Sequence, residues 1–218
     1  MRTPELKIIR KESFTATPWK NGGGITHEAI RVPATGDPFR WRVSVAHIDA
    51  SGPFSEFAAH DRKMVLLQGA GIELRFADGV KQTLREVGQL IQFDGAVAAH
   101  CELLSGPCVD LNLMILKSDR AAVRVERVAE SAAVSAALDE TTLVFPIDGA
   151  IALEVNETQI VTLQPWDLAI LSNGHGYLRR LKSRQSAQSN PSANPPATAV
   201  FVATLILMSG EQQAGLGV

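Results

Sequence analysis

A chain of 218 residues, 45% hydrophobic and 20% charged, has the composition of a folded globular protein and is long enough for one large domain or two small ones. Its net charge of −2 gives no general attraction for nucleic acid or a membrane surface, and no apolar run reaches the length of a bilayer span. The charged start from Met1 to Lys11 lacks the apolar centre of a secretory signal, and two cysteines, Cys101 and Cys108, suggest neither a disulfide framework nor a zinc site, so the chain reads as cytoplasmic with reduced thiols.

In chain order, Leu6 to Arg10 reads as a first strand. Pro18-Trp19-Lys20-Asn21-Gly22-Gly23-Gly24-Ile25-Thr26-His27-Glu28 follows. Three consecutive glycines are costly to order and suit unusual dihedrals or a close approach to the backbone. With Lys20 beside them, their N–H groups have the makings of an anion nest, against the plainer reading of a turn with a solvated lysine. The stretch has neither the dinucleotide fingerprint nor the ending of a phosphate-binding loop. Ile25 to Val32 reads as a strand with Thr26 and Glu28 on one face. Phe39 to Ile48 alternates, placing Trp41, Val43 and Val45 on one face and Arg42, Ser44 and Ala46 on the other. In a barrel the second face would line a polar lumen.

Further strands are expected at Met64–Gln68, Ile72–Phe76, Gln82–Glu86, Leu90–Phe93, Ala96–Leu104 and Cys108–Leu116, punctuated by Gly69, Asp78-Gly79 and Asp94-Gly95. Asn112 stands inside an otherwise apolar run. Val123 to Leu138 is alanine-rich and reads as a joint between two halves, with a short helix over Ala132–Leu138. Strands then recur at Ile151–Val155, Gln159–Leu163 and Leu168–Leu171. Gly69 and Gly95 bracket strand, turn, strand, turn, strand; Gly149 and Gly174 bracket the same layout at nearly the same length. This internal duplication predicts an all-β chain of two small barrels, residues 1–122 holding the pocket and 123–218 filled and structural. Lys182 to Thr198 reads as a flexible loop and Glu211 to Val218 as a frayed tail. Ala199 to Met208 reads as a buried strand that closes a sheet formed earlier.

The five histidines show neither H-x-H nor i, i+4 spacing, so no histidine metal site and no cofactor is expected. Asp61 beside Arg62 reads locally as a surface ion pair. The informative feature is cationic: Lys20, Arg42 and Arg62 stand among Asn21, Thr26, Ser44 and Ser55. An arginine turned into a lumen must be paired or await an anion, and its planar fork suits a carboxylate. A small anionic ligand is one reading; internal neutralisation of Arg42 or Arg62 by Glu28 is the other.

Pro18-Trp19-Lys20-Asn21-Gly22-Gly23-Gly24 with Thr26 and Glu28, Trp41-Arg42-x-Ser44-x-Ala46, Gly52-Pro53-Phe54-Ser55-x-Phe57 with Asp61-Arg62, and Leu103 to Pro107 with Asp110 to Met114 resemble the HutD/Ves family. The resemblance implies a bicupin with RmlC-like jelly-roll barrels. It further implies a link to histidine utilisation and regulatory binding of a small metabolite such as formylglutamate. The matching pocket positions are Lys20, Asn21, Thr26, Glu28, Arg42, Ser44, Ser55, Arg62 and Asn112, none with an implied catalytic role. Two alternatives stand beside this: a metal-independent isomerase or hydrolase with Glu28 as general acid or base, and a stress-related interaction protein. Exposed barrel faces leave room for a homodimer.

Overall fold

In a computed structural model, which describes residues 4–156, 158–181 and 197–207, the chain is strand, turn and loop, with one 3-10 turn at Lys11–Ser13. The strands are β1 Glu5–Ile9, β2 Thr15–Pro18, β3 Gly24–Val32, β4 Trp41–Ile48, β5 Gly52–Phe54, β6 His60–Gln68, β7 Ile72–Phe76, β8 Lys81–Leu84 and β9 Leu90–Asp94. Then follow β10 Ala99–Leu103, β11 Cys108–Leu116, β12 Arg120–Val128, β13 Ser131–Pro146, β14 Ile151–Val155, β15 Gln159–Leu163, β16 Leu168–Arg180 and β17 Thr198–Ile206. Among the described residues, no helix is long and apolar enough to cross a membrane.

The described chain forms two compact units, one from Glu12–Ala121 and one from Met1–Lys11 with Ala122–Ile206. The first strand therefore does not fall with the residues that follow it, as a division at residue 122 would have it. β1 pairs antiparallel with β16, from Glu5↔Ser172 to Ile9↔Leu168. Its Leu6 and Ile8 pack against the apolar cluster of that later unit. A strand's partner is set by backbone hydrogen bonding and by which core accepts its apolar face, neither of which follows from chain position. β17 likewise closes on β13, from Glu140↔Ile206 to Pro146↔Val200, within its own unit.

The unit of Glu12–Ala121 has a six-stranded sheet, in the order β2-β3-β4-β11-β6-β9, and a four-stranded sheet, β5-β10-β7-β8. Met64, Leu66 and Ile48 of the larger sheet join Ile72, Leu74, Leu84 and Cys101 of the smaller in one buried cluster. On the same face of the larger sheet, β3, β4 and β11 carry polar residues instead. Antiparallel register sets Glu28 beside Ser44, Ser44 beside Asn112, and Arg42 beside Met114, which in turn adjoins Arg62. The interior of this unit is thus split between an apolar region around Ile48, Met64 and Leu66 and a polar region around Arg42, Ser44, Arg62 and Asn112.

The other unit is a single seven-stranded sheet, in the order β12-β17-β13-β16-β14-β15 with β1 on β16. The helix expected over Ala132–Leu138 is strand instead. Val134 and Ala136 are buried while Ser131, Ala133 and Ser135 are exposed, a period of two. Pairing of Ser131–Ala136 with β16 overrides the helical preference of alanine, because the ladder gives that stretch backbone hydrogen bonds along one edge and its period-two face packs into the core. β13 is interrupted by a register shift between Ala136 and Thr141, where Asp139 has φ 69°. β16 also runs past the stop expected at Asn173-Gly174, to Arg180, with Asn173 at φ 54°. The interior is an apolar cluster that includes Val144, Ile151, Leu153, Leu163, Leu171, Leu178 and Val202. The architecture is the all-β bicupin. The loop expected at Lys182–Thr198 lies outside the described residues up to 196, as does the tail at Glu211–Val218.

Candidate functional site

The glycine stretch is the hairpin between β2 and β3. Gly22 has φ +70°, in the left-handed region that glycine enters without strain. A side chain at Gly24 would stand 2.2 Å from the His47 carbonyl oxygen, so only glycine lets β3 lie this close to β4. The amides here are spent internally. Gly22 N–H donates to the Trp19 carbonyl at 3.0 Å, Gly23 N–H to Asn21 Oδ1 at 3.0 Å, and Trp19 N–H to the Gly24 carbonyl at 2.9 Å. The glycines therefore shape a turn and do not form an open anion nest. What the hairpin delivers is a wall, with Trp19 donating from Nε1 to Thr26 Oγ1 at 2.8 Å.

That wall closes one side of a cavity of about 620 Å³ within the unit of Glu12–Ala121. Eight of the nine candidate residues line it: Lys20, Asn21, Thr26, Arg42, Ser44, Ser55, Arg62 and Asn112. They come from the hairpin, β4, the segment after β5, β6 and β11, far apart in sequence. Glu28 does not line it. It faces a neighbouring recess with Arg31, Asp37 and His60, and there pairs with Arg42, Nε to Oε2 at 2.5 Å. The internal partner proposed for Arg42 is therefore in place.

Arg62 is the best-buried cation of the cavity, 5% exposed. Adjacent residues of a strand point to opposite faces, so Arg62 turns inward and makes no surface pair with Asp61. Its Nη2 donates to Asn112 Oδ1 at 2.7 Å, and Nη1 reaches the Ser55 carbonyl at 3.5 Å. The guanidinium carbon lies 5.3, 5.8 and 5.0 Å from the ring centres of Phe54, Phe57 and Phe93. This aromatic surround offers the charge cation–π attraction in place of water. Arg62 Nε nonetheless has no hydrogen-bond partner. Burial pushes the Arg62 pKa down to about 10, against the pull of Asp110 and with the repulsion of Arg42, so the group stays charged at neutral pH.

Asn112 connects Arg62 to a second buried group. Its Nδ2 donates to Asp110 Oδ1 through a short contact, while Asp110 Oδ2 has no partner. Asp110 is fully buried and lines the cavity. Burial lifts its pKa to about 7, more than Arg62 and the Asn112 hydrogen bond lower it. Sequence reasoning passed over Asp110 as a site residue, and also over the aromatic surround of Arg62. A signal was present: Asp110 and Asn112 stand two apart inside an apolar strand, so they share one face.

His60, in the neighbouring recess, is structural. His60 Nε2 meets the Phe39 carbonyl at 2.7 Å, and its ring stacks on Phe39 at 3.9 Å. Among the described residues, no three histidine, cysteine, aspartate or glutamate side chains converge as a metal site.

A model of the HutD family matches residues 11–189. An uncharacterised 21.2 kDa protein in the hutC 3′ region of Pseudomonas putida is 39% identical over 111 residues, which is 50% of this chain and 58% of that one. The protein Ves of Escherichia fergusonii is 34% identical over 109 residues, 49% of this chain and 56% of that one. The chain thus spans little more than half the length of these curated relatives. A conserved protein of unknown function from Pseudomonas aeruginosa PAO1 has a similar structure, with TM-score 0.81 and 28% identity, covering 93% of this chain and all (100%) of that one. HutD from Pseudomonas fluorescens SBW25, solved in a formate condition, follows with TM-score 0.69 and 26% identity, covering 92% and 98%.

Proposed function

This chain belongs to the HutD family, and from that premise we propose that it is a non-catalytic binding protein for a small carboxylate such as formylglutamate, acting in a regulatory role in histidine utilisation. One observation carries the reading: a charged arginine, Arg62, lines a cavity with its Nε unsatisfied, where no carboxylate of the chain pairs with it among the described residues. Leaving such a donor buried costs free energy that an entering anion recovers. Lys20, exposed where it lines the cavity, adds positive potential, while Arg42 lines it with its charge paired to Glu28. The relative in the hutC 3′ region and the HutD structure from a formate condition support a carboxylate drawn from histidine breakdown. The catalytic alternative built on Glu28 has less support, because Glu28 stands outside the cavity and is ion-paired to Arg42.

A thermal-shift screen against urocanate, formylglutamate, formiminoglutamate, glutamate and formate, at matched salt, tests this reading. A ligand bound only by the folded state at a hundredfold excess over its dissociation constant adds about 2.7 kcal/mol of stability. Arg62→Met keeps the volume and removes the charge, so the variant should stay folded and lose the shift. A shift retained in Arg62→Met would sink the assignment.

A further inference from the structure

Asp110 has no role in the reading above, and its position gives it one. It sits on β11, fully buried, where it lines the cavity, with Oδ1 engaged by Asn112 and Oδ2 without a hydrogen-bond partner. No ion pair joins it to a cation among the described residues. The charged and titratable groups around it are Arg62 from β6, Arg42 from β4 with its partner Glu28 from β3, Lys20 from the hairpin, and Cys101 from β10. Burial raises the Cys101 thiol to about 12, so it stays neutral and adds no charge. An anion entering this space finds cations that attract it and one carboxylate that repels it. The repulsion disappears when Asp110 carries a proton, and the unpartnered oxygen then becomes a hydrogen-bond donor.

We propose that Asp110 recognises the ligand as a neutral carboxyl, donating from Oδ2 to a ligand oxygen, so that each anion enters the cavity together with one proton taken from solvent. The inference rests on the carboxylate-binding reading of this cavity and specifies its ligand class. That class is an anion with two separate acceptor groups, one carboxylate for Arg62 and a second carboxylate or carbonyl oxygen for Asp110. The orphaned Arg62 Nε and Asp110 Oδ2 are the two ends of that specification. Since Asp110 titrates near neutrality, proton uptake becomes visible in the physiological range, and affinity falls as pH rises. The ligand's own carboxylates are ionised throughout and contribute nothing to the slope.

The test is calorimetry of N-formyl-L-glutamate binding to the full chain between pH 6 and 9, in buffers of different ionisation enthalpy. The expected result is uptake approaching one proton per ligand at pH 8. The dissociation constant should rise roughly tenfold per pH unit on the alkaline side. Asp110→Asn keeps a donor at the Oδ2 position and cannot titrate. It should bind with a dissociation constant that does not change with pH. Binding by the unmodified chain with no proton uptake, and loss of that binding in Asp110→Asn, would overturn the proposal in favour of an ionised Asp110 that accepts from a ligand N–H. No binding at any pH would overturn the carboxylate reading itself, and this inference with it. Because uptake is measured on the unmodified chain, the proposal stays exposed even if the variant folds poorly.

Discussion

The two units put the same kind of strand to opposite uses. In the unit of Met1–Lys11 with Ala122–Ile206, inward positions such as Val144, Leu153, Leu171 and Val202 fill the interior with hydrocarbon. Its buried Asp167 is satisfied by the Arg10 guanidinium at 2.6 Å and the Gln164 amide at 2.9 Å. In the unit of Glu12–Ala121, inward positions on β4 and β11 carry Arg42, Ser44, Asp110 and Asn112, and Arg62 Nε and Asp110 Oδ2 are left unsatisfied. A buried polar group without a partner costs stability, so these two atoms of the cavity and Arg31 Nε beside the neighbouring recess set this unit apart from the other. One unit satisfies its buried carboxylate from within; the other leaves buried polar atoms without a partner.

The contrast breaks most strongly at the packed interior. Leu153→Ala, at a fully buried position of the apolar cluster, should destabilise by about 2–5 kcal/mol, through lost burial and the cavity left behind. Denaturant unfolding reads this directly, and a loss below about 1 kcal/mol would mean that this interior is not well packed.

A substitution in the cavity should do the reverse. Asp110 ionises at about 7 in the folded chain, against an ordinary value of 3.8. The folded state therefore holds its proton more tightly than the unfolded state, and ionisation works against folding. The penalty is absent below about pH 4, grows between about 4 and 7, and is complete above. Asp110→Asn removes it, so the variant should gain stability at pH 8, by about 4 kcal/mol at most, and gain little at pH 4. Equal melting temperatures for the two proteins at pH 8 would contradict the burial penalty on which the comparison depends.

The smallest effect belongs to the edge of the cavity. Arg42 and Glu28 form a partly buried pair at the cavity edge, with side chains 17% and 31% accessible. Glu28→Gln should cost less than about 1 kcal/mol in folding stability. It also releases Arg42 to the anion, so formylglutamate affinity should be kept or strengthened. A large loss of affinity would mean that Glu28 touches the ligand, and would revive its role as an acid or base.

Much of the strand inventory was legible in the residues themselves, because period-two alternation and glycine punctuation are local signals. The alternation of Arg42, Ser44 and Ala46 against Trp41, Val43 and Val45 already showed a polar inner face on β4. The length of β13 was not legible, since its alanines carry no strand preference and only pairing with β16 decides the matter. The link between β1 and β16 was equally hidden, because two strands far apart in sequence leave no mutual mark on composition.

By itself, then, the sequence determined an all-β chain, the turn made by Gly22 and Gly24, and a set of cations facing one interior. Only the tertiary structure decided which cation is free. Glu28 and Arg42 are brought together by the pairing of β3 with β4, which leaves Arg62 as the buried arginine of the cavity without a carboxylate ion-pair partner among the described residues. Asp110 became part of the site for the same reason. Its chemistry depends on how much water and which charges surround it, and burial of that kind is a property of packed strands, not of a residue or its neighbours in the chain.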